Sequence, residues 1–310
     1  MSTARISGRF VICAAVLMAG ACDKSNKSND TGAISAMDRA GSGDTPQPGT
    51  EGPVDTTPLS GIDVSKLSTD KQQAFYKFLG SLKSPCGKAH SLRTSFTSDT
   101  SCKRAPFAVS FLIAMLEDEA TDADVRELYK NRYETPETKL ALDLSKAPYV
   151  GAPDAAVKLV EFFDYACPHC QHLAPILAEV AAKSEGKVVE YFLMYPLEKI
   201  HPNSRSAAKA ALAAQQQGKF KEMHETLFAK APAHTQQDVM GYAKALGLDA
   251  AKFEADYAAA DAQVSADVKQ GEAAKVDSTP TLFLNGVKYM GPLSAKYLEM
   301  AITEEVAVNR

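Results

Sequence analysis

Long apolar runs are missing after residue 22, so nothing there is expected to cross a bilayer as a helix. Blocks of like charge are missing too. The 310 residues carry a formal net charge of -4, which argues against nucleic acid as a partner. Tryptophan is absent, which decides nothing alone. Cysteine is scarce, with six residues at 13, 22, 86, 102, 167 and 170. No histidine stands at convincing metal-ligand spacing from these cysteines, so no metal is expected. Haem attachment is excluded at the one Cys-x-x-Cys, because Gln171 rather than histidine follows Cys170. No cofactor is expected. With 45% hydrophobic residues the chain can bury a sizeable core in one or two domains.

The first 22 residues read as an export signal. Arg5 and Arg9 form a positive start, and Phe10 to Ala21 is apolar but too short for a stable membrane span. The run ends in Ala19-Gly20-Ala21-Cys22, which resembles a bacterial lipoprotein signal; Ala19 stands where leucine is usual. The resemblance implies lipidation at Cys22, loss of Cys13, and an extracytoplasmic, membrane-anchored protein. Residues 23–60 are rich in Ser, Asn, Asp, Gly, Thr and Pro and read as a disordered tether with a reach of about 30–35 Å.

Residues 61–147 read as a small, mostly helical domain. Ala74, Phe75, Phe78, Leu79 and Leu82 fall on one helical face, Pro106 to Glu119 is apolar and helical, and Thr121 is placed to cap a helix reaching Arg132. Pro85 to Thr100 reads as loop. Cys86 and Cys102 flank it and are expected to close it as a structural disulfide, worth ~3 kcal/mol; a second redox pair is the alternative. Leu82 to Gly87, His90 to Leu92, Ala105-Pro106, Ala120 to Val125 and Asn131 to Tyr133 resemble the helical domain of CcmH-type cytochrome c maturation proteins. Ser84 replaces at least one cysteine of that family's redox pair, so only a fold is implied.

Residues 148–310 carry the chemistry. Val157 to Phe163 has a buried-strand pattern and runs into Cys167-Pro168-His169-Cys170, followed at once by the amphipathic run Leu173 to Lys183. A helix start offers unpaired N–H groups and a positive dipole end, which stabilise a thiolate at the first cysteine. Pro168 suits the first turn. A second strand is expected over Val188 to Met194, then helices through about 201–276. Thr281 to Leu284, Asn285-Gly286 and Val287 to Met290 form a hairpin signature, and a last helix follows from Ser294.

This order, with Glu161-Phe162-Phe163-Asp164-Tyr165 before the cysteines, Tyr195-Pro196-Leu197, His201-Pro202, Met223-His224 and Thr279-Pro280-Thr281, resembles the DsbA-like branch of the thioredoxin superfamily. The fold implied is α/β: a thioredoxin fold with a helical insertion, preceded by the small helical domain. The resemblance makes Cys167 the exposed nucleophile and Cys170 the buried resolving thiol. His169 and Pro168 then tune the pair, and Glu161 is the buried acid that manages the proton of Cys170. Thr279 and Pro280, with a cis bond, face the site and present backbone to an extended substrate. The implied activity is protein-disulfide oxidoreductase, as an oxidase donating the Cys167–Cys170 disulfide through a mixed disulfide. A reductase or isomerase, for example in cytochrome c maturation, and a non-catalytic binding module are the alternatives. The implied partners are unfolded or thiol-containing exported proteins and a membrane or periplasmic redox partner.

Overall fold

The computed structural model describes residues 53–308. The signal segment, with Cys13 and Cys22, and the tether as far as residue 52 lie outside the described residues. Four α-helices come first: α1 (Thr69–Ser81), α2 (Leu92–Thr97), α3 (Ala105–Glu117) and α4 (Asp122–Tyr129). A π-turn over Lys130–Glu134 continues α4. Thr121 caps α4 through its side chain, and the Asp124 carboxylate accepts the Thr121 N–H in return. Phe75, Phe78, Leu79, Phe111, Leu112 and Tyr129 form the buried centre of this unit, and Leu59 already belongs to it. Arg93 donates to the carbonyls of Asp55 and Thr57, so packing starts inside the segment read as tether. Within the stretch read as loop, Leu92–Thr97 is helical instead: the Ser91 hydroxyl accepts the Thr94 N–H, and Leu92 is buried. The serine and threonine content that suggests loop here supplies a helix cap. A disulfide joins Cys86 to Cys102.

The remainder is a five-stranded sheet in the order β1-β3-β2-β4-β5. β1 (Tyr149–Gly151) runs antiparallel to β3 (Val188–Met194), β3 parallel to β2 (Val157–Phe163), and β2 antiparallel to β4 (Thr281–Leu284), which pairs with β5 (Val287–Lys288). Between β2 and β3 lies α5 (Pro168–Lys183). The long connection from β3 to β4 is helical: α6 (Ser204–Gln215), α7 (Phe220–Lys230), α8 (Gln236–Ala245) and α9 (Ala250–Ala273). The last helix, α10 (Ala295–Val308), returns to the sheet. Asn285 and Gly286 turn the β4–β5 hairpin with φ of 50° and 87°, the left-handed pair that such a tight turn needs.

Both faces of the sheet are covered. On one face, Val157, Leu159 and Val188 pack against Leu173, Leu177 and Val180 of α5 and Leu298, Ala301 and Ile302 of α10. Phe163, Phe192 and Met194 pack there against Ala-rich α6 and α7. The alanines let the helices approach closely. On the other face, Val160, Phe162, Val189, Tyr191 and Leu193 lie under Leu140, Leu142, Leu144 and Ala147, with Ala274 and Val276 from the end of α9. Residues 139–147, read as the end of the helical domain, therefore lie along the sheet. Gly271 of α9 is required by close approach, since a Cβ there would stand 2.5 Å from the Tyr195 ring.

The helical unit joins this body through α10. Tyr297 packs in the helical core. Glu304, 1% exposed, accepts from Arg104 Nε at 2.7 Å, Arg132 at 2.6 Å and the Tyr133 hydroxyl at 3.1 Å. Two arginines around one desolvated carboxylate keep it ionised: its pKa is lowered despite burial. Removing that carboxylate takes the anion from Arg132 and leaves Arg104 with the Glu137 carboxylate. Glu304→Ala is expected to cost ~3–5 kcal/mol in urea unfolding, against under about 0.5 kcal/mol for an exposed control such as Glu185→Ala.

Candidate active site

β2 is seven residues long and delivers the chain to the site. Only Lys158 of the strand is exposed. Glu161, pointing to the same face as Leu159 and Phe163, is 1% exposed, and neither carboxyl oxygen has a hydrogen-bond partner among the described residues. Burial pushes its pKa well above the ordinary carboxylate range, with Glu190 and Cys167 adding to the rise. Glu190, from the matching face of β3, is also buried, and desolvation raises its pKa to about 8.

After Phe163 the chain turns on Asp164. Its carboxylate, fully covered, accepts the Ala166 N–H at 2.8 Å, the Leu197 N–H at 2.8 Å and His201 Nδ1 at 2.8 Å. The Asp164 carbonyl accepts the Cys167 N–H. One side chain thus ties the turn after β2 to the loop after β3. Tyr165, buried, shares a hydrogen bond of 3.0 Å with His224 Nδ1. Burial lowers the His224 pKa to about 4. The imidazole is therefore neutral near pH 7.

Cys167 is the residue before α5, and Pro168 takes the first helical position. Cys167 and Cys170 are both free thiols. Cys167 was expected to be exposed, and this is corrected: it is 5% exposed, because its Sγ lies against the Thr279–Pro280 segment and donates to the Thr279 carbonyl at 3.4 Å. Cys170 is fully buried, and desolvation drives its pKa far upward, with Glu161 adding to the rise. Pro168 and His169 are exposed on the first turn of α5. The Thr279–Pro280 bond is cis, and Thr279 is 7% exposed. The structure thus brings Cys167, Cys170, Thr279 and Pro280 together, with Glu161 coupled electrostatically to both cysteines. Cys86 and Cys102 are in the helical unit.

Asp164, His201 and Glu190 have no place in the sequence reading of the site. Asp164 and His201 are 37 residues apart and meet only through the parallel pairing of β2 and β3. Glu190 carries a readable signal: one carboxylate inside Val188-Val189-Glu190-Tyr191-Phe192-Leu193-Met194, a run otherwise fit for full burial.

A family model described as thioredoxin matches residues 143–304. The chain belongs to the thioredoxin family. Its curated relatives include the Na(+)/H(+) antiporter NhaA 1 of Mycobacterium sp. (strain KMS), 36% identical over 156 residues, or 49% of this chain and 25% of that protein. NhaA of Herminiimonas arsenicoxydans is 31% identical over 148 residues, 47% of this chain and 23% of that protein. The chain spans about a quarter of the length of these relatives. Among solved structures it is similar to oxidised BdbD from Bacillus subtilis, at 22% identity and a TM-score of 0.50, covering 56% of this chain and 99% of that one. That likeness concerns the fold: a thioredoxin sheet with a helical insertion, as the motif series implies.

Burial of carboxyls sets a pH dependence of stability. Glu161, Glu190 and Asp267 have folded pKa values above the unfolded ones, to about 8 for Glu190 and about 7 for Asp267. They hold protons that the unfolded chain releases, so their stabilisation is complete below pH ~4 and is lost as pH rises through the folded values. His224 acts in the opposite sense, between its folded value of about 4 and the ordinary 6.5. His234, whose pKa burial also lowers, acts with His224; from about pH 7 to 8 the carboxyls dominate, because the unfolded histidines have by then lost most of their protons. Unfolding free energy is expected to fall across that window, by up to ~1.4 kcal/mol per pH unit for each carboxyl still protonated in the folded chain and about half that for one in mid-titration. Glu190→Gln flattens the slope. Urea titrations at stepped pH check this, and a stability that is level or rising there contradicts it.

Proposed function

We propose that the chain is an exported thiol–disulfide oxidoreductase acting as an oxidase. The observation that carries this is the pairing of a Cys167 thiol ahead of α5, against the Thr279–Pro280 segment, with a buried Cys170 whose proton affinity is coupled to Glu161. In the oxidised protein, a substrate thiolate attacks the Cys167 sulfur. The Cys167–Cys170 bond breaks, a mixed disulfide forms, and Cys170 leaves with the electron pair and takes a proton from Glu161. A second substrate thiolate then attacks its own sulfur in the mixed disulfide and releases reduced Cys167. The substrate leaves oxidised. The protein holds two electrons that a membrane or periplasmic redox partner removes.

Thr279 is the substrate-side backbone in this scheme, offering strand-type pairing to an extended chain. The contact of the Cys167 thiol with the Thr279 carbonyl belongs to the reduced protein and is given up when the disulfide forms. His169, exposed beside the pair, supplies a donor or positive charge that favours the reduced state and makes the disulfide a stronger oxidant. Pro168 fixes the first turn. Cys22 would carry the lipid anchor, and the helical unit with its Cys86–Cys102 disulfide fits an oxidising, extracytoplasmic compartment. Partners are thiol-containing exported proteins.

Titration of the Cys167–Cys170 pair in glutathione buffers separates oxidase from reductase. A potential near the DsbA value of about −120 mV is expected, and one near the thioredoxin value of about −270 mV supports a reductase or isomerase instead. Cys167→Ser is expected to abolish both insulin reduction and dithiol oxidation. Retention of either activity contradicts the assignment of Cys167 as nucleophile.

A further inference from the structure

β2 and β3 pair in parallel with Leu159 opposite Glu190 and Glu161 opposite Phe192. Residues two apart on a strand share a face, so Glu161 and Glu190 are diagonal neighbours on one side of the sheet. That side is the one covered by α5, and both residues are buried, at 1% and 6% exposure. Neither carboxyl has an ion-pair partner among the described residues. The titratable groups around them are Cys167 and Cys170 from the start of α5, Tyr165 from the turn before it, and His224 from α7. β1 and β4 set Val150 and Leu282 opposite the two carboxyls, and α10 presents Leu298, Ala301 and Ile302 to this face. Among the described residues no cation faces them to compensate a second negative charge.

Given the exchange reaction proposed above, on which this rests, we infer that Glu190 is a positioning residue: it shares protons with Glu161 and so sets the pH at which Cys170 can give up its own. Two carboxyls in one desolvated space do not both ionise readily, because the first charge opposes the second. A charge on Glu190 holds the proton on Glu161, and a charge on Glu161 holds the proton on Glu190. Only when Glu161 has lost that proton can it accept the one on Cys170.

The step affected is closure of the mixed disulfide. Cys170–SH passes its proton to the Glu161 carboxylate. The thiolate attacks the Cys167 sulfur of Cys167–S–S–R. The Cys167–Cys170 bond forms, the bond to R breaks, and R–S⁻ leaves with the electron pair. The two cysteines are oxidised and R is reduced, with no further oxidant.

Closure can be followed from a single adduct formed between Cys167 and thionitrobenzoate in the full chain, by release of the coloured thiolate across pH. In Glu190→Gln the acid inflection of the closure rate is expected to move down by about one pH unit, a tenfold gain on the acid side, while the high-pH plateau stays within about twofold. An unmoved inflection overturns the inference, since loss of a merely structural role changes the plateau and not the inflection. Carboxyl carbon-13 NMR of the same proteins judges the pair without any turnover. The Glu161 titration should fall in Glu190→Gln, and the Glu190 titration should fall in Glu161→Gln. Independent titrations in the two variants also overturn it. If the adduct forms but never closes in the parent chain, the exchange reaction fails while the NMR titrations still decide the coupling.

Discussion

Desolvation of β2 is the constraint from which the site follows. Its residues are packed from both sides, by α5, α10 and the helical insertion on one and by residues 139–147 and the end of α9 on the other. A carboxyl placed on such a strand loses its water and gains no partner, so Glu161 keeps its proton far above the usual pH. The same cover removes water from Cys170. Two buried, electrostatically coupled groups are thereby held next to a thiol at the helix start, Cys167, that lies against the Thr279 carbonyl. Apolar packing creates the chemical potential of the site.

A second buried acid has the opposite task. Asp164 is as covered as Glu161, yet two backbone N–H groups and His201 surround its carboxylate. Hydrogen bonding offsets its burial, and the result is a rigid turn. One short segment, Glu161 to Asp164, thus holds one carboxyl without a hydrogen-bond partner among the described residues and another fixed by three hydrogen bonds. Glu304 makes a third case, kept ionised by Arg104 and Arg132, and it fastens the helical unit to α10. Because α10 also packs against β2, the helical unit is braced against the strand that leads into the site.

Much of this is legible in the sequence where local chemistry decides the outcome. The apolar run ending at Cys167, Pro168 in the first helical turn, the Asn285-Gly286 turn and the Thr121 cap each signal their own geometry. β1 is not legible: three exposed residues carry no burial pattern, and they form a strand only because β3 offers an edge. α2 is masked by serine and threonine. That Thr279 and Pro280 face the site follows from the motif series, but that the Thr279 carbonyl, 112 positions away, leaves Cys167 buried is not legible. The partnership of Asp164 with His201, and the placing of Glu190 beside Glu161, depend on strand register, which no single segment encodes. Local signals thus give the parts of the site, and long-range pairing gives their contacts.

The central claim is that Cys167 exchanges disulfides with protein thiols while Cys170 resolves the adduct. Trapping tests it most directly: the full chain with Cys170→Ser, its Cys167 first converted to the thionitrobenzoate disulfide, is mixed with a reduced unfolded protein whose thiolate displaces the coloured thionitrobenzoate, and the product is mapped by mass spectrometry under non-reducing conditions. The account predicts a stable mixed disulfide through Cys167, absent when Cys170 is restored. No adduct at Cys167, or one that persists unchanged with Cys170 present, would contradict it.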